Sequence, residues 1–206
     1  MRKSKVATIC TLFDHGAIRF GSFKTIASIY TPIFIDLRIL VSFPKLMHQV
    51  VLLYASIVRT LHYDRLVAIP LGSLPVGTIL SQIVQKPMVY VRAERKKYGT
   101  KKIIEGVFFK GEKVVLLDDV VEKGIVKKQA IHNIHKEGLQ VTDVVVLVNH
   151  PRGGKEYVQR MGIRVYHWTD IAEITEVLRR EERITRVQYK EVVQYIADLN
   201  ATTHSR

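Results

Sequence analysis

The segment Val114-Val-Leu-Leu-Asp-Asp-Val-Val-Glu-Lys-Gly124 carries the chemistry most visible in this sequence. Four apolar residues followed by two carboxylates put an acidic pair, Asp118 and Asp119, at the carboxyl end of a buried parallel strand, the edge at which open α/β sheets bind ligands. Gly124, just beyond and leading into a helix, can supply a left-handed backbone and free N–H groups that hold a phosphate. The plainer reading is a strand that simply ends in acidic residues and a turn. His132 and His135 lie three apart on a predicted helix. That spacing can reach a metal ion but more often marks an exposed helix face, so no metal site is assigned to them.

The elements needed to position these residues can be read from the pattern around them. From about Arg65 onward, short β-branched runs alternate with amphipathic segments, as in βαβ units of a mostly parallel, twisted sheet flanked by helices. Strands are expected at 66–70, 88–92, 103–109, 114–121, 141–148 and 163–167. Helices are expected from about residue 75 to 85, at 125–137 (stopped by Gly138), and near 155–161, 171–180 and 189–199. Pro44 to His62 has Leu46, Val50, Leu53 and Ile57 at helical spacing on one side. Residues 1–42 are expected to form a small N-terminal hood, and 43–206 the α/β core of a single domain. The segment from Ala93 to Lys102 is densely cationic around Gly99 and reads as an exposed, mobile loop.

Composition narrows the classes. At 206 residues with 47% hydrophobic and 25% charged content, the chain can bury one substantial core and is not generally disordered. Its apolar runs fall far short of the roughly 20 residues of a membrane-spanning helix. The basic start, followed by Ala7 to Leu12, faintly imitates a signal peptide, but the run is brief and meets Asp14 and His15; an unexported, cytoplasmic protein is expected. A single cysteine, Cys10, excludes an intramolecular disulfide. A net charge of +13 attracts anions in general, nucleic acid included, without choosing among them.

Beyond the acidic pair, several spaced segments occur in a consistent order: Gly16-Ala-Ile-Arg-Phe-Gly21, Pro32-Ile-Phe-Ile-Asp-Leu-Arg38, Arg92-Ala-Glu-Arg-Lys-Lys-Tyr-Gly-Thr100, Ile104-Glu-Gly106 and Gly153-Gly154. Together they resemble the orotate phosphoribosyltransferases, a branch of the type I phosphoribosyltransferases, over residues from about 10 to 178. The resemblance implies that Asp118 and Asp119 grip the ribose hydroxyls of phosphoribosyl pyrophosphate, partly through Mg2+. It also implies that Gly72, Ser73, Glu122, Lys123 and Gly124 line the pyrophosphate and phosphate positions. Arg92 and Lys96, with Tyr98 nearby, would neutralise charge as pyrophosphate leaves, because preorganised charge supplies most of the rate in such a reaction. Phe34, His150 and Arg152 would face the base, and a homodimer is implied because the family's cationic loop completes the neighbouring subunit's site.

The chain also departs from the family's pattern. A run of Thr, Ser and Gly after the acidic pair is replaced by Glu122, Lys123, Gly124, Ile125 and Val126, so Glu122 must point away from the phosphate or be offset by Lys123. Ile26 stands for a lysine, Ser28 and Ile29 for a glycine and a basic residue, Ala93 for a loop lysine, and Asn149-His150 for an Asp-Arg pair. Three functions follow from these residues. One is an orotate phosphoribosyltransferase of pyrimidine nucleotide biosynthesis. Another is a paralogue using a different base or anionic ligand. The last is a catalytically impaired regulator that senses nucleotides or binds nucleic acid.

Overall fold

In a computed structural model the described residues are 2–24, 30–92 and 102–204. The chain opens with helix α1 (Arg2–Asp14), then strands β1 (Ile18–Lys24) and β2 (Tyr30–Ile35), a 3-10 turn at Leu37–Ser42, and helix α2 (Pro44–Val58). The core follows as β3 (Arg65–Ala68), α3 (Ser73–Val84), β4 (Met88–Val91), β5 (Ile104–Glu105), β6 (Lys113–Val121), α4 (Ile125–Lys136), β7 (Gln140–Asn149), α5 (Gly154–Gln159), β8 (Arg164–Asp170), α6 (Ile171–Arg180) and α7 (Arg186–His204). The six-stranded sheet has the order β5-β4-β3-β6-β7-β8, parallel except for β5, and β1-β2 form a separate antiparallel hairpin.

The expected α/β class is what the chain adopts, and the reason lies in its central strands. Val114 to Leu117 are all fully buried, as are Val144 to Val146, so helices must cover both faces. Alternation decides which side chain meets which layer. Val115, Leu117, Val145 and Leu147 pack with α2, α3, α6 and the helices at the two ends of the chain. Val114, Leu116, Val144 and Val146 face Ile131 and Ile134 of α4 and Val158 of α5.

Some expectations needed adjustment. The strand expected at 103–109 is only two residues long, because Gly106 takes φ +111° and leaves Val107 and Phe109 exposed. In α2 the buried row is Leu46, Met47, Val50, Val51, Tyr54, Ala55 and Val58, so the inward face centres one position away from the row containing Leu53 and Ile57. The first 42 residues contain a full helix, α1, whose Ile9 and Leu12 enter the core. Among the described residues no helix is long and apolar enough to cross a membrane.

Candidate active site

β3 and β6 are neighbours, yet the chain runs outward from β3 to β4 and β5 and returns to β6 before continuing to the opposite edge. Strand order therefore reverses between β3 and β6, and a crevice must open at their carboxyl ends. β3 ends in the turn Pro70-Leu71-Gly72, whose Pro70-Leu71 peptide is cis, and β6 carries Asp118 and Asp119. The two ends touch. A Cβ on Gly72 would lie 2.5 Å from Asp119 Oδ2, so only glycine lets the turn approach the carboxylate this closely.

The two carboxylates differ in environment. Asp118 is 6% exposed, and both its oxygens are engaged. Oδ1 accepts the Asp119 N–H at 3.0 Å, and Oδ2 pairs with the Lys127 ammonium, which also bonds the Val120 carbonyl. The Tyr54 hydroxyl donates to the Asp118 carbonyl at 2.8 Å. Burial pushes the Asp118 carboxyl up to about 7, with Lys127 pulling the other way. Asp119 is only partly buried; its Oδ1 accepts the Val120 N–H at 2.7 Å, while Oδ2 faces Gly72. Arg38 lies close enough to feel the Asp119 charge.

Ser73 is placed differently from the expectation. Its hydroxyl sits 2.7 Å from the Ile69 carbonyl and 2.9 Å from the Leu117 carbonyl, tying the ends of β3 and β6 together, and the residue is 1% exposed. A hydroxyl so placed is not open to a ligand. Gly124 has φ +75° at the start of α4, the left-handed turn expected of it. Gly153-Gly154 packs directly behind: Gly154 N–H donates to the Glu122 carbonyl at 2.9 Å, and a Cβ on Gly154 would meet that carbonyl at 2.3 Å. Ile125 and Val126 are exposed beside this turn, where hydroxyls were lacking in the sequence.

Glu122 is offset by Arg152 rather than by the adjacent Lys123. The Arg152 guanidinium, 3% exposed, pairs with Glu122 and donates from Nε to the Tyr195 hydroxyl at 2.6 Å; its Nη2 is buried without a partner among the described residues. The Tyr195 ring, on α7, lies 5.8 Å from the His150 ring and 5.5 Å from the Arg152 guanidinium. His150 is buried, and burial, aided by Arg152, lowers its pKa to about 3, so it is a neutral imidazole. Its Nδ1 and Asn149 Oδ1 are also buried without partners among the described residues.

Other expected site residues lie apart from this cluster. Arg92, at the end of β4, pairs with Glu105 of β5 at 3.1 Å rather than with the doublet. Phe34 stacks on Phe23 in the hairpin with ring centroids 5.4 Å apart. Lys96 and Tyr98, the substituted positions Ile26, Ser28 and Ile29, and Ala93 are outside the described residues. Two cavities of about 840 and 880 Å3 open elsewhere, between α1 and α6 and between the hairpin and α7. Neither is lined by the doublet, although Tyr195 lines the second.

The residues Lys127, Tyr54, Tyr195 and Arg38 were not singled out from sequence. Lys127 carried a signal that could have been read: it occupies the same row as Ala130, Ile131 and Ile134, the buried stripe of α4. A lysine in an apolar row needs a buried anion nearby.

A strand-order reversal with a carboxylate pair on one strand and glycine turns on either side is the arrangement at which open α/β proteins bind ligands. The family model for a phosphoribosyl transferase domain matches residues 42–163. The orotate phosphoribosyltransferase of Pyrobaculum aerophilum is 33% identical over 187 residues, covering 90% of this chain and 96% of that protein. The bifunctional enzyme PyrF/PyrE of a Nostoc species is 39% identical over 181 residues, 88% of this chain and 38% of the relative. The structure of Leishmania donovani UMP synthase superposes with a TM-score of 0.88 at 31% identity, covering 94% of this chain and 42% of that one. The chain thus belongs to the phosphoribosyltransferase family, in the branch of the orotate phosphoribosyltransferases. It spans about two fifths of the length of the PyrF/PyrE and UMP synthase relatives it matches.

The resemblance implies only an indirect contact of the doublet with magnesium, and Asp118 itself does not fit as a direct ligand. Magnesium takes near-octahedral oxygen donors, through one or two carboxylates plus substrate phosphates. Both Asp118 carboxylate oxygens already have a partner within the fold, and among the described residues no group of three or more His, Cys, Asp or Glu could hold a metal ion. A divalent ion roughly 5 Å from the Lys127 ammonium would be repelled by about 7 kcal/mol at an effective dielectric near 20.

Proposed function

We propose that this chain transfers the phosphoribosyl group of phosphoribosyl pyrophosphate to orotate, giving orotidine monophosphate and pyrophosphate. The observation that carries this reading is the contact between the Gly72 turn and Asp119, which brings the end of β3 against a carboxylate of β6 at the strand-order reversal. In the reaction the bond from the anomeric carbon to a pyrophosphate oxygen breaks, with its electron pair leaving on pyrophosphate. The orotate N1 forms the new bond, and the N1 proton passes to the leaving group or solvent. Asp119 holds the ribose hydroxyls while the anomeric carbon gains oxocarbenium character, and the backbone N–H groups around Gly124 hold the 5′-phosphate. Arg152, whose buried Nη2 has no partner among the described residues, stands on the side of the base.

Lys96 and Tyr98 belong to this reading as cation and donor for the departing pyrophosphate, with Arg92 just before them in the chain. A homodimer, in which these residues serve the neighbouring subunit, and a cytoplasmic location are parts of the same proposal. Magnesium, where it takes part, arrives as the counter-ion of the pyrophosphate, and no step above runs through it.

The test is consumption of orotate by the pure chain in the presence of phosphoribosyl pyrophosphate, followed by loss of orotate's ultraviolet absorbance, with uracil in parallel. Turnover of orotate is the expected result; no turnover by folded protein would defeat the reading. The uncharged His150, where the family pattern carries an arginine, favours one second reading, a base without orotate's carboxylate. Turnover of uracil in place of orotate would establish it.

A further inference from the structure

The buried row of α4 is Lys127, Ala130, Ile131 and Ile134. A primary ammonium in such a row is strongly disfavoured unless an anion meets it. Lys127 is met twice, by the Asp118 carboxylate and the Val120 carbonyl, with the Lys127 and Asp118 side chains 7% and 9% exposed. From the other face of the sheet, Tyr54 fixes the Asp118 carbonyl, and the Asp119 N–H takes the remaining Asp118 oxygen. At each Asp118 oxygen one acceptor position is therefore filled from within the fold. The cation filling one of them is covalently part of the chain and cannot leave with a product.

We propose that Lys127 is the built-in counter-cation of the acidic doublet, occupying from the helix side the electrostatic role of a divalent ion, so that ligand is gripped through Asp119 with no metal at the doublet. This rests on the reading of the crevice as a sugar-phosphate site. Lys127 is a positioning residue: it touches Asp118, and through it fixes the backbone that presents Asp119. A merely structural lysine would stabilise the fold without altering how the site responds to divalent ions, and that difference can be measured.

Two probes test it on the full chain, Mn2+ alone, read by electron paramagnetic resonance, and ribose 5-phosphate, read by calorimetry in magnesium or in chelator. Wild type and Lys127→Arg should take up no Mn2+ at millimolar concentration, and their ribose 5-phosphate affinity should agree within about twofold between the two buffers. Lys127→Met exposes the carboxylate pair and should bind Mn2+. Its ribose 5-phosphate affinity should rise at least about tenfold with magnesium. The double variant Lys127→Met with Asp118→Asn, which removes both buried charges, should lose that Mn2+ uptake. Mn2+ binding by the wild type that disappears in Asp118→Asn would overturn the proposal, as would a Lys127→Met protein no more metal-responsive than wild type. If Lys127→Met does not fold, the wild-type measurements still decide, since metal-dependent binding there contradicts the proposal directly. Failure of the wild type to bind ribose 5-phosphate in either buffer would defeat the transferase reading, while the Mn2+ measurement would still rule on Lys127.

Discussion

The carboxylate of Glu122 is held by the guanidinium of Arg152, thirty residues further along the chain. The pair resolves the conflict of a carboxylate standing in the turn proposed to hold the phosphate. Arg152 is almost fully buried while Glu122 keeps 42% of its side-chain surface, so the pair draws the negative charge back toward the protein without hiding it. Separating the partners has opposite effects on stability and on binding. Glu122→Thr should raise ribose 5-phosphate affinity by about tenfold, because a carboxylate is removed and a hydroxyl hydrogen bond worth about 1 kcal/mol is added. It should also lower the melting temperature, because a buried guanidinium loses its anion. Calorimetric titration beside thermal unfolding checks both signs. A fall in affinity would mean that Glu122 is not at the phosphate position.

Gly124 makes a purely conformational prediction. Its φ of +75° costs an L-residue about 1–2 kcal/mol. A Cβ there would also lie 2.9 Å from the Tyr157 ring and 3.1 Å from the Gly154 carbonyl. For a chain of 206 residues, roughly 2–4 °C of melting temperature corresponds to each kcal/mol. Gly124→Ala should therefore lower the melting temperature by roughly 3–8 °C and weaken phosphate binding, since the turn's N–H groups must rotate. An unchanged melting temperature would show that the turn tolerates a side chain.

The buried imidazole predicts an acid-sensitive fold. His150 has an ordinary pKa near 6.5 that burial lowers to about 3. Between these values the unfolded chain binds a proton that the native chain refuses. The contribution is complete above about 6.5 and is lost as pH falls toward about 3, at no more than about 1.4 kcal/mol per pH unit. Asp118 acts in the opposite sense. Its carboxyl is raised from 3.8 to about 7, so its contribution is complete below about 3.8 and fades as pH rises toward about 7. The two slopes oppose each other between about 4 and 6.5, so the His150 share is read as a difference. His150→Phe should lose stability less steeply on acidification than wild type in denaturant titrations from pH 7 to pH 4. Equal slopes would mean that His150 is solvated and titrates normally.

Much of the frame was legible because local signals agreed with the tertiary outcome. The fully apolar Val114 to Leu117 run forced a strand covered on both faces, and α6 runs over the residues expected of it because Asp170 caps its first turn by accepting the Glu173 N–H. The 103–109 segment misled because its apolar residues lack a turn signal other than Gly106, and only the packed structure reveals that glycine's φ of +111°. Helix α1 was hidden by the absence of an acidic first turn or a basic last turn, and its fixation comes from Ile9 and Leu12 entering the distant core. At the site, the doublet and Gly124 were readable because a single strand and turn carry them. The pairs Lys127 with Asp118 and Arg152 with Glu122 link different elements, and no local rule reports such partners. Ser73 shows the converse: a residue type suited to binding phosphate is consumed by tying two strand ends together.

The unequal environments of the two adjacent carboxylates predict unequal consequences of the same substitution. Asp118 is enclosed, with both oxygens bonded inside the protein, whereas Asp119 keeps Oδ2 at the Gly72 turn. Above about pH 7, where the Asp118 carboxyl is ionised, Asp118→Asn leaves the Lys127 ammonium buried without an anion, which costs roughly 3–5 kcal/mol when one partner of a buried pair is removed. Its principal effect should be a large fall in melting temperature. Asp119→Asn removes charge from a partly exposed position, so the fold should survive, while in the proposed reaction the carboxylate facing the developing positive charge at the anomeric carbon is lost. By comparison with single preorganised groups in other enzymes, turnover should fall by about 10²–10³-fold with the melting temperature nearly unchanged. Thermal unfolding and steady-state assays on the two variants separate these outcomes. A stable Asp118→Asn protein without activity, beside an active Asp119→Asn protein, would reverse the assignment and place the ligand on the enclosed carboxylate.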